Sequence, residues 1–73
     1  MTDDKGVEEL VHKARKICHD INQPLTVIMA RSELMLLKVS PGDNNRKAVE
    51  QIHEQAEKAS QLVESLRALL KDF

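Results

Sequence analysis

Aromatic side chains are almost absent from this chain, which has one phenylalanine and no tryptophan or tyrosine among its 73 residues. Sheets are enriched in aromatic and β-branched residues, whereas helix formers and a 32% share of charged residues dominate here. We therefore predict an all-α fold. A chain of this length has difficulty burying enough apolar surface by itself, so self-association is also expected.

Glycine is scarce as well, and the chain has no excess of basic charge. The only two glycines, Gly6 and Gly42, lie far apart, so the chain has no glycine-rich phosphate loop and no room for an ATP-binding domain. The 11 Lys and Arg residues are matched by 12 Asp and Glu, for a net charge of -1. Because phosphate-backbone binding requires a basic excess, we expect no nucleic-acid partner.

The single cysteine and the absence of a long apolar run bear on location. Cys18 has no second cysteine with which to form an intrachain disulfide. The absence of a disulfide is compatible with a reducing cytoplasm. No stretch approaches the roughly 20 apolar residues of a membrane span, and the polar N-terminus does not resemble a signal peptide. We expect a cytoplasmic domain without direct membrane contact.

Hydrophobic periodicity divides the chain into two helices. Residues 1–6 are polar and are expected to be flexible or to begin a helix. Apolar or small residues then recur at alternating steps of four and three, the period of a coiled coil, at Val7, Val11, Ala14, Cys18, Ile21, Leu25, Ile28, Ser32, Met35 and Val39. A second stripe follows at Val49, Ile52, Ala56, Ala59, Val63, Leu66, Leu70 and Phe73. We predict a helix over about 7–39, a turn over 40–45 rich in helix breakers, and an antiparallel helix over about 46–73.

Further apolar residues lie beside these stripes, at Leu10, Ile17, Met29, Leu34, Leu36, Leu37, Leu62 and Leu69. A lone hairpin would leave them in water, whereas two hairpins packed as a four-helix bundle would cover them. The sequence therefore predicts a homodimer. A heteromeric coiled coil would have the same pattern and stays open as an alternative.

One segment of the first helix contains residues of the types that are found in catalytic sites. Residues 19–26, His-Asp-Ile-Asn-Gln-Pro-Leu-Thr, resemble the H-box of two-component sensor histidine kinases, in which His, an acidic residue and Pro-Leu lie on the first helix of a dimerising hairpin. The helix lengths and turn position extend the resemblance over residues 7–73. The family implied is that of dimerisation and histidine-phosphotransfer domains.

The resemblance implies that His19 accepts the γ-phosphoryl group of ATP and passes it to an aspartate on a response regulator. A separate ATP-binding domain would supply ATP and Mg²⁺, and the regulator would use Mg²⁺ too, so this chain alone would hold no cofactor and be inactive as a kinase. The stripe independently turns His19 outward, and neutral imidazole is a nucleophile near neutral pH. The alternatives are a purely structural coiled coil, a free-standing phosphotransfer protein and, without the flanking motif, an ordinary solvated histidine.

The same resemblance implies roles for residues that follow His19. Asp20 would accept a hydrogen bond from the ring and so prepare His19 for attack; the alternative is a solvated carboxylate paired with Lys16. Gln23 occupies a position where many relatives have Thr or Asn to orient a water for dephosphorylation, and a merely solvated amide is equally open. Pro24 would bend the first helix, or else break it in two.

The resemblance also implies that the regulator docks beside His19 and towards the turn, where Thr26, Ala30 and Arg31 are the exposed candidates on the first helix. A short basic run over residues 12–16 is either a phosphate-attracting patch or a solvated face. The ligand types at His12, Cys18, His19 and His53 match no closed zinc site, so we expect no metal. His53 is expected to be a half-buried polar side chain.

Overall fold

The computed structural model describes residues 4–73, which form two long helices joined by a tight turn. Helix α1 spans Asp4–Lys38 and helix α2 spans Arg46–Leu70. They pack against each other along their length as an antiparallel hairpin measuring 62 × 14 × 13 Å. No strand occurs within residues 4–73. The predicted all-α hairpin is confirmed.

The helix boundaries differ from the predicted ones by a few residues. Helix α1 begins at Asp4, so residues 4–6 of the segment expected to be flexible continue the helix, as the alternative allowed. Residues 1–3 lie outside the described part of the chain. Helix α2 begins where predicted but ends at Leu70, and the final residues form turns in which the amide of Phe73 donates to the Leu70 carbonyl.

Helix α1 continues through Pro24 without a break. Proline has no N–H to donate to the carbonyl of Asp20, and inside a helix it costs about 3 kcal/mol. The helix stays continuous because side chains pack on both sides of the proline, namely buried Cys18 and half-buried Leu25. The alternative of two separate helices is therefore wrong.

The turn is held by a residue from the start of α2. Arg46 donates through Nη1 to the carbonyl oxygens of Leu36 at 3.2 Å and Val39 at 2.9 Å. These carbonyls lie in the last turn of α1 and beyond it, where the helix leaves its acceptors unpaired. Asp43 accepts a hydrogen bond from the Asn45 amide at 2.8 Å, while Asn45 itself makes no side-chain cap. The guanidinium thus ties the two helices together at the turn.

The core between the helices is narrow and consists of small side chains. The buried residues among 5–73 are Cys18, Ser32, Val49 and Ala56. Cys18 is only 1% exposed, as predicted for a small apolar residue. The hydroxyl of buried Ser32 donates to the Met29 carbonyl at 2.9 Å, so its hydrogen bond is satisfied within α1. Small residues let the two backbones approach closely.

Part of the predicted stripe on α1 faces away from α2. Ile28 and Met35 are 42% and 50% exposed, whereas Met29 and Leu36, expected beside the stripe, are half-buried. A seven-residue repeat drifts by about 20° per heptad relative to a straight α-helix, so neighbouring positions take over the contact with the second helix. The stripe therefore supplies two surfaces, one against α2 and one left uncovered by the hairpin.

The two flanks of the hairpin differ in character. One flank has a shallow apolar groove of about 550 Å³ lined by Leu25, Ile28, Ala48, Gln51, Ile52, Gln55 and Ala56. His19 and Ile28 are nine residues apart and so lie on opposite sides of α1, about 180° around the helix axis. His19 therefore belongs to the other, polar flank. Among residues 4–73, neither helix is both long and apolar enough to cross a membrane.

Candidate functional site

His19 is exposed on the polar flank, directly after buried Cys18. It lines a surface pocket of about 370 Å³ whose other walls are Asn22, Gln23, Thr26 and Arg67. His19 thus has the outward position that the stripe predicts. Arg15 lies one turn earlier on α1 and donates to the Leu70 carbonyl at 3.2 Å.

Gln23 contacts the imidazole of His19 directly. The side-chain nitrogen of Gln23 lies 3.3 Å from Nε2 of His19. An amide nitrogen only donates hydrogen bonds, so Nε2 accepts in this contact when the ring carries its proton on Nδ1. Nε2 is the ring nitrogen that faces Gln23.

Asp20 is not hydrogen-bonded to the ring. Its Oδ2 lies 3.0 Å from Nζ of Lys16, one turn earlier on α1, and the two side chains are 54% and 72% exposed. Residues four apart lie on the same face of a helix, whereas adjacent residues are separated by about 100°. The alternative arrangement, a solvated carboxylate paired with Lys16, is therefore the one observed. The hydrogen bond predicted from His19 to Asp20 is not formed in this structure.

A polar network across the two helices borders the site and was not predicted from the sequence. Oε1 of Glu64 accepts hydrogen bonds from Nδ2 of Asn22 at 2.9 Å and from Nη1 of Arg67 at 3.1 Å. The remaining amide oxygen of Asn22 is buried without a hydrogen-bond partner. Glu64 thus links α1, three residues after His19, to an arginine that lines the His19 pocket.

The residues expected to dock a regulator do not all share the side of His19. All three are exposed, and the Thr26 hydroxyl donates to the Asn22 carbonyl at 2.8 Å within the helix. By helical rotation, Thr26 and Ala30 lie within about 20° of His19, but Arg31 lies about 120° away. The His19 surface therefore continues towards the turn through Thr26 and Ala30.

His53 forms a second polar cluster on the same flank. Its half-buried ring lies between two carboxylates, with Nε2 at 3.1 Å from Glu33 of α1 and Nδ1 at 3.0 Å from Glu57. The carboxylates are on opposite sides of the ring, so the three side chains cannot share one ion. Across the described part of the chain, no group of three or more His, Cys, Asp or Glu residues is arranged to hold a metal.

The sequence was compared with models of protein families, with curated proteins and with solved structures. The family described as His Kinase A (phospho-acceptor) domain matches residues 14–71. No curated protein and no solved structure matched the chain. The matched region is more than half of the chain and contains His19 with every residue of its pocket. The chain therefore belongs to the His Kinase A phospho-acceptor domain family.

Proposed function

We propose that this chain is the dimerisation and phosphotransfer domain of a two-component sensor histidine kinase, with His19 as the phosphoacceptor. The observation that supports this most directly is the exposed side chain of His19, which lines a polar pocket inside the matched family region and has Nε2 next to Gln23. A separate domain supplies ATP and Mg²⁺. An aspartate of a response-regulator receiver takes the phosphoryl group afterwards.

In the first step, Nε2 attacks the γ-phosphorus as the bond from that phosphorus to the bridging oxygen of ADP breaks. Gln23 must first turn away, because its amide nitrogen lies 3.3 Å from the attacking atom. Attack makes the ring positive while its proton is still on Nδ1. After leaving Lys16, the Asp20 carboxylate accepts a hydrogen bond from this N–H, orients the imidazole and stabilises the positive charge, and the proton then passes to water.

In the second step, the nitrogen–phosphorus bond breaks as an aspartate oxygen of the receiver attacks. The imidazole is now the leaving group, so the receiver supplies the nucleophile. Thr26 and Ala30 extend the His19 surface towards the turn and offer the contact for docking, whereas Arg31, about 120° away around α1, lies outside this surface. Gln23, whose amide nitrogen lies 3.3 Å from Nε2, is also our candidate for orienting a water during dephosphorylation.

The apolar flank supports a homodimer. Its residues include Leu10, Ile17, Ile21, Ile28, Met35, Ile52, Leu62, Leu66 and Leu69, which are between 42% and 68% exposed. Each buried side chain of this size contributes about 1.5–3 kcal/mol, so leaving them in water is costly. Packing the flank against that of a second hairpin yields a four-helix bundle and leaves His19, on the opposite side of α1, open to partners.

The decisive test is phosphorylation of variants by the kinase's ATP-binding domain and Mg-ATP labelled in the γ-phosphate. Wild type should gain phosphate that is labile in acid and stable in base, and His19→Gln should gain none. The matched controls are His12→Gln and His53→Gln, which should label like wild type. Equal labelling of His19→Gln would assign the phosphate to another residue, and no labelling of wild type would favour a purely structural coiled coil.

A further inference from the structure

Arg67 of α2 is the only cationic side chain that lines the His19 pocket within the described part of the chain. It reaches the pocket from the opposite helix, 48 positions along the sequence from His19. Its side chain is 43% exposed, and its one ion pair is to Glu64 on the same helix. The guanidinium is therefore accessible to a group that enters the pocket.

The ion pair leaves most of this guanidinium unused. Arginine has five N–H donors in a planar fork, and Glu64 is bonded to Nη1. The planar fork matches the oxygens of a phosphoryl group. Because the same Glu64 oxygen also accepts from Asn22, the carboxylate fixes Arg67 relative to the turn of α1 that follows His19.

Two further cationic side chains line a cavity next to Arg67. A second cavity, of about 240 Å³, is lined by Arg15, Arg67 and Lys71, and it shares Arg67 with the His19 pocket. Three cationic side chains thus line these two cavities, and Glu64 is the carboxylate bonded to Arg67. A group with two negative charges in the His19 pocket is attracted by this surface, although Glu64 alone would repel it.

We infer that Arg67 binds the phosphoryl oxygens, both as the group arrives on Nε2 and while it remains on His19. This inference rests on the proposed role of His19. In phosphoryl transfer, charge is spread over the equatorial oxygens, and a positioned guanidinium stabilises it. Glu64 and Asn22 are positioning residues in this arrangement, because they hold Arg67 without touching the phosphoryl group.

The binding itself is tested without any kinase domain. Phosphoramidate phosphorylates imidazole chemically: its phosphorus–nitrogen bond breaks with release of ammonia as the bond to Nε2 forms. In ¹⁵N-labelled chain treated in this way, the Nε–H resonance of Arg67 should shift when His19 becomes phosphorylated. His19→Gln is the control, and its Arg67 resonance should stay in place under the same treatment.

The contribution to rate is tested with the ATP-binding domain and Mg-ATP. Arg67→Gln should lower the rate of His19 phosphorylation by roughly 10-fold to 100-fold, less than an enclosed oxyanion donor because the site is partly exposed. Arg67→Lys, which keeps the charge and loses the fork, should recover part of that loss. Lys58→Gln removes one positive charge elsewhere on α2 and should label at the wild-type rate.

The inference fails if phosphorylation of His19 leaves the Arg67 resonance unmoved, or if Arg67→Gln and Lys58→Gln label equally fast. Circular dichroism of each variant should show unchanged helicity, so that a rate loss is not an unfolding effect. Failure of the proposed function has a different signature, since wild type would then gain no phosphate from ATP. The phosphoramidate arm would still report whether Arg67 binds the group.

Discussion

Replacement of Asp20 by asparagine tests the chemistry at His19 most sharply. Asp20 must leave Lys16 before it can reach the ring. Both side chains are more than half exposed, and solvent-screened pairs four apart on a helix contribute only about 0.3–0.5 kcal/mol. Breaking the pair thus slows the reaction by a factor of about two at most, since 1.4 kcal/mol corresponds to tenfold. The observed pairing is too weak to keep Asp20 from its proposed role.

Asp20→Asn keeps the size and polarity of the side chain but removes its charge. We expect His19 phosphorylation to slow by roughly 10² to 10⁴, the usual range for acid–base assistance, with the helical hairpin intact. Lys16→Met, which frees the carboxylate, should raise the rate by no more than about twofold. The comparison of the two variants separates the role of the carboxylate from that of its ion pair.

Rapid-quench kinetics with the ATP-binding domain and saturating Mg-ATP measure both rates. Transfer from phosphorylated His19 to a receiver should fall much less in Asp20→Asn, because the receiver supplies the nucleophile in that step. An unchanged phosphorylation rate in Asp20→Asn would make the residue an ordinary surface charge. A large rate increase in Lys16→Met would refute the estimate that the pair is weak.

Three further predictions concern stability and assembly. Arg46→Ala removes two hydrogen bonds to the end of α1 and should lower the free energy of unfolding by about 1–2 kcal/mol. Urea denaturation at fixed protein concentration measures this loss. The control Lys47→Ala should change the free energy of unfolding by less than about 0.5 kcal/mol. His53→Ala should also cost about 1–2 kcal/mol in the same assay, because both ring contacts to carboxylates are lost, and no change would show that they contribute nothing. Light scattering of wild type should give twice the 8.3 kDa monomer mass. Ile28→Lys places a charge in the apolar groove and should give the monomer mass. Val27→Lys, outside the groove, should keep the dimer mass. A monomeric wild type would contradict the dimer.

The hairpin could be predicted from the sequence because its determinants are local. The apolar repeat before and after the turn at residues 40–45 is enough to define two helices, and Pro41 marks the end of the first. The assignment of faces was less accurate. Ile28 and Met35 continue the predicted seven-residue stripe but are exposed, whereas Met29 and Leu36, which lie within about 20° of buried Cys18 around the helix axis, are half-buried.

Only the part of the site that lies on α1 could be predicted from the sequence. His19 and Gln23 are four residues apart, so their contact follows from helical rotation alone. Arg67 and Glu64 are placed beside them by the register between the helices, which depends on turn length and on Arg46 at the turn. No pattern within α1 contains that information. The sequence signal for this part of the site is on α2, where charged residues such as Glu64 and Arg67 recur beside the apolar stripe.

The placement of the site on two helices has a consequence for control of phosphorylation. The backbone of His19 follows directly from Cys18, which is buried against α2, while Arg67 belongs to α2 itself. Any displacement of α1 relative to α2 therefore changes the distance between the nucleophile and the guanidinium. Pro24 leaves the carbonyl of Asp20 without its helical hydrogen bond, and this makes the turn after His19 the easiest part of α1 to bend. In the proposed dimer, a signal that bends α1 at this point would move His19 relative to Arg67 without disturbing the apolar flank.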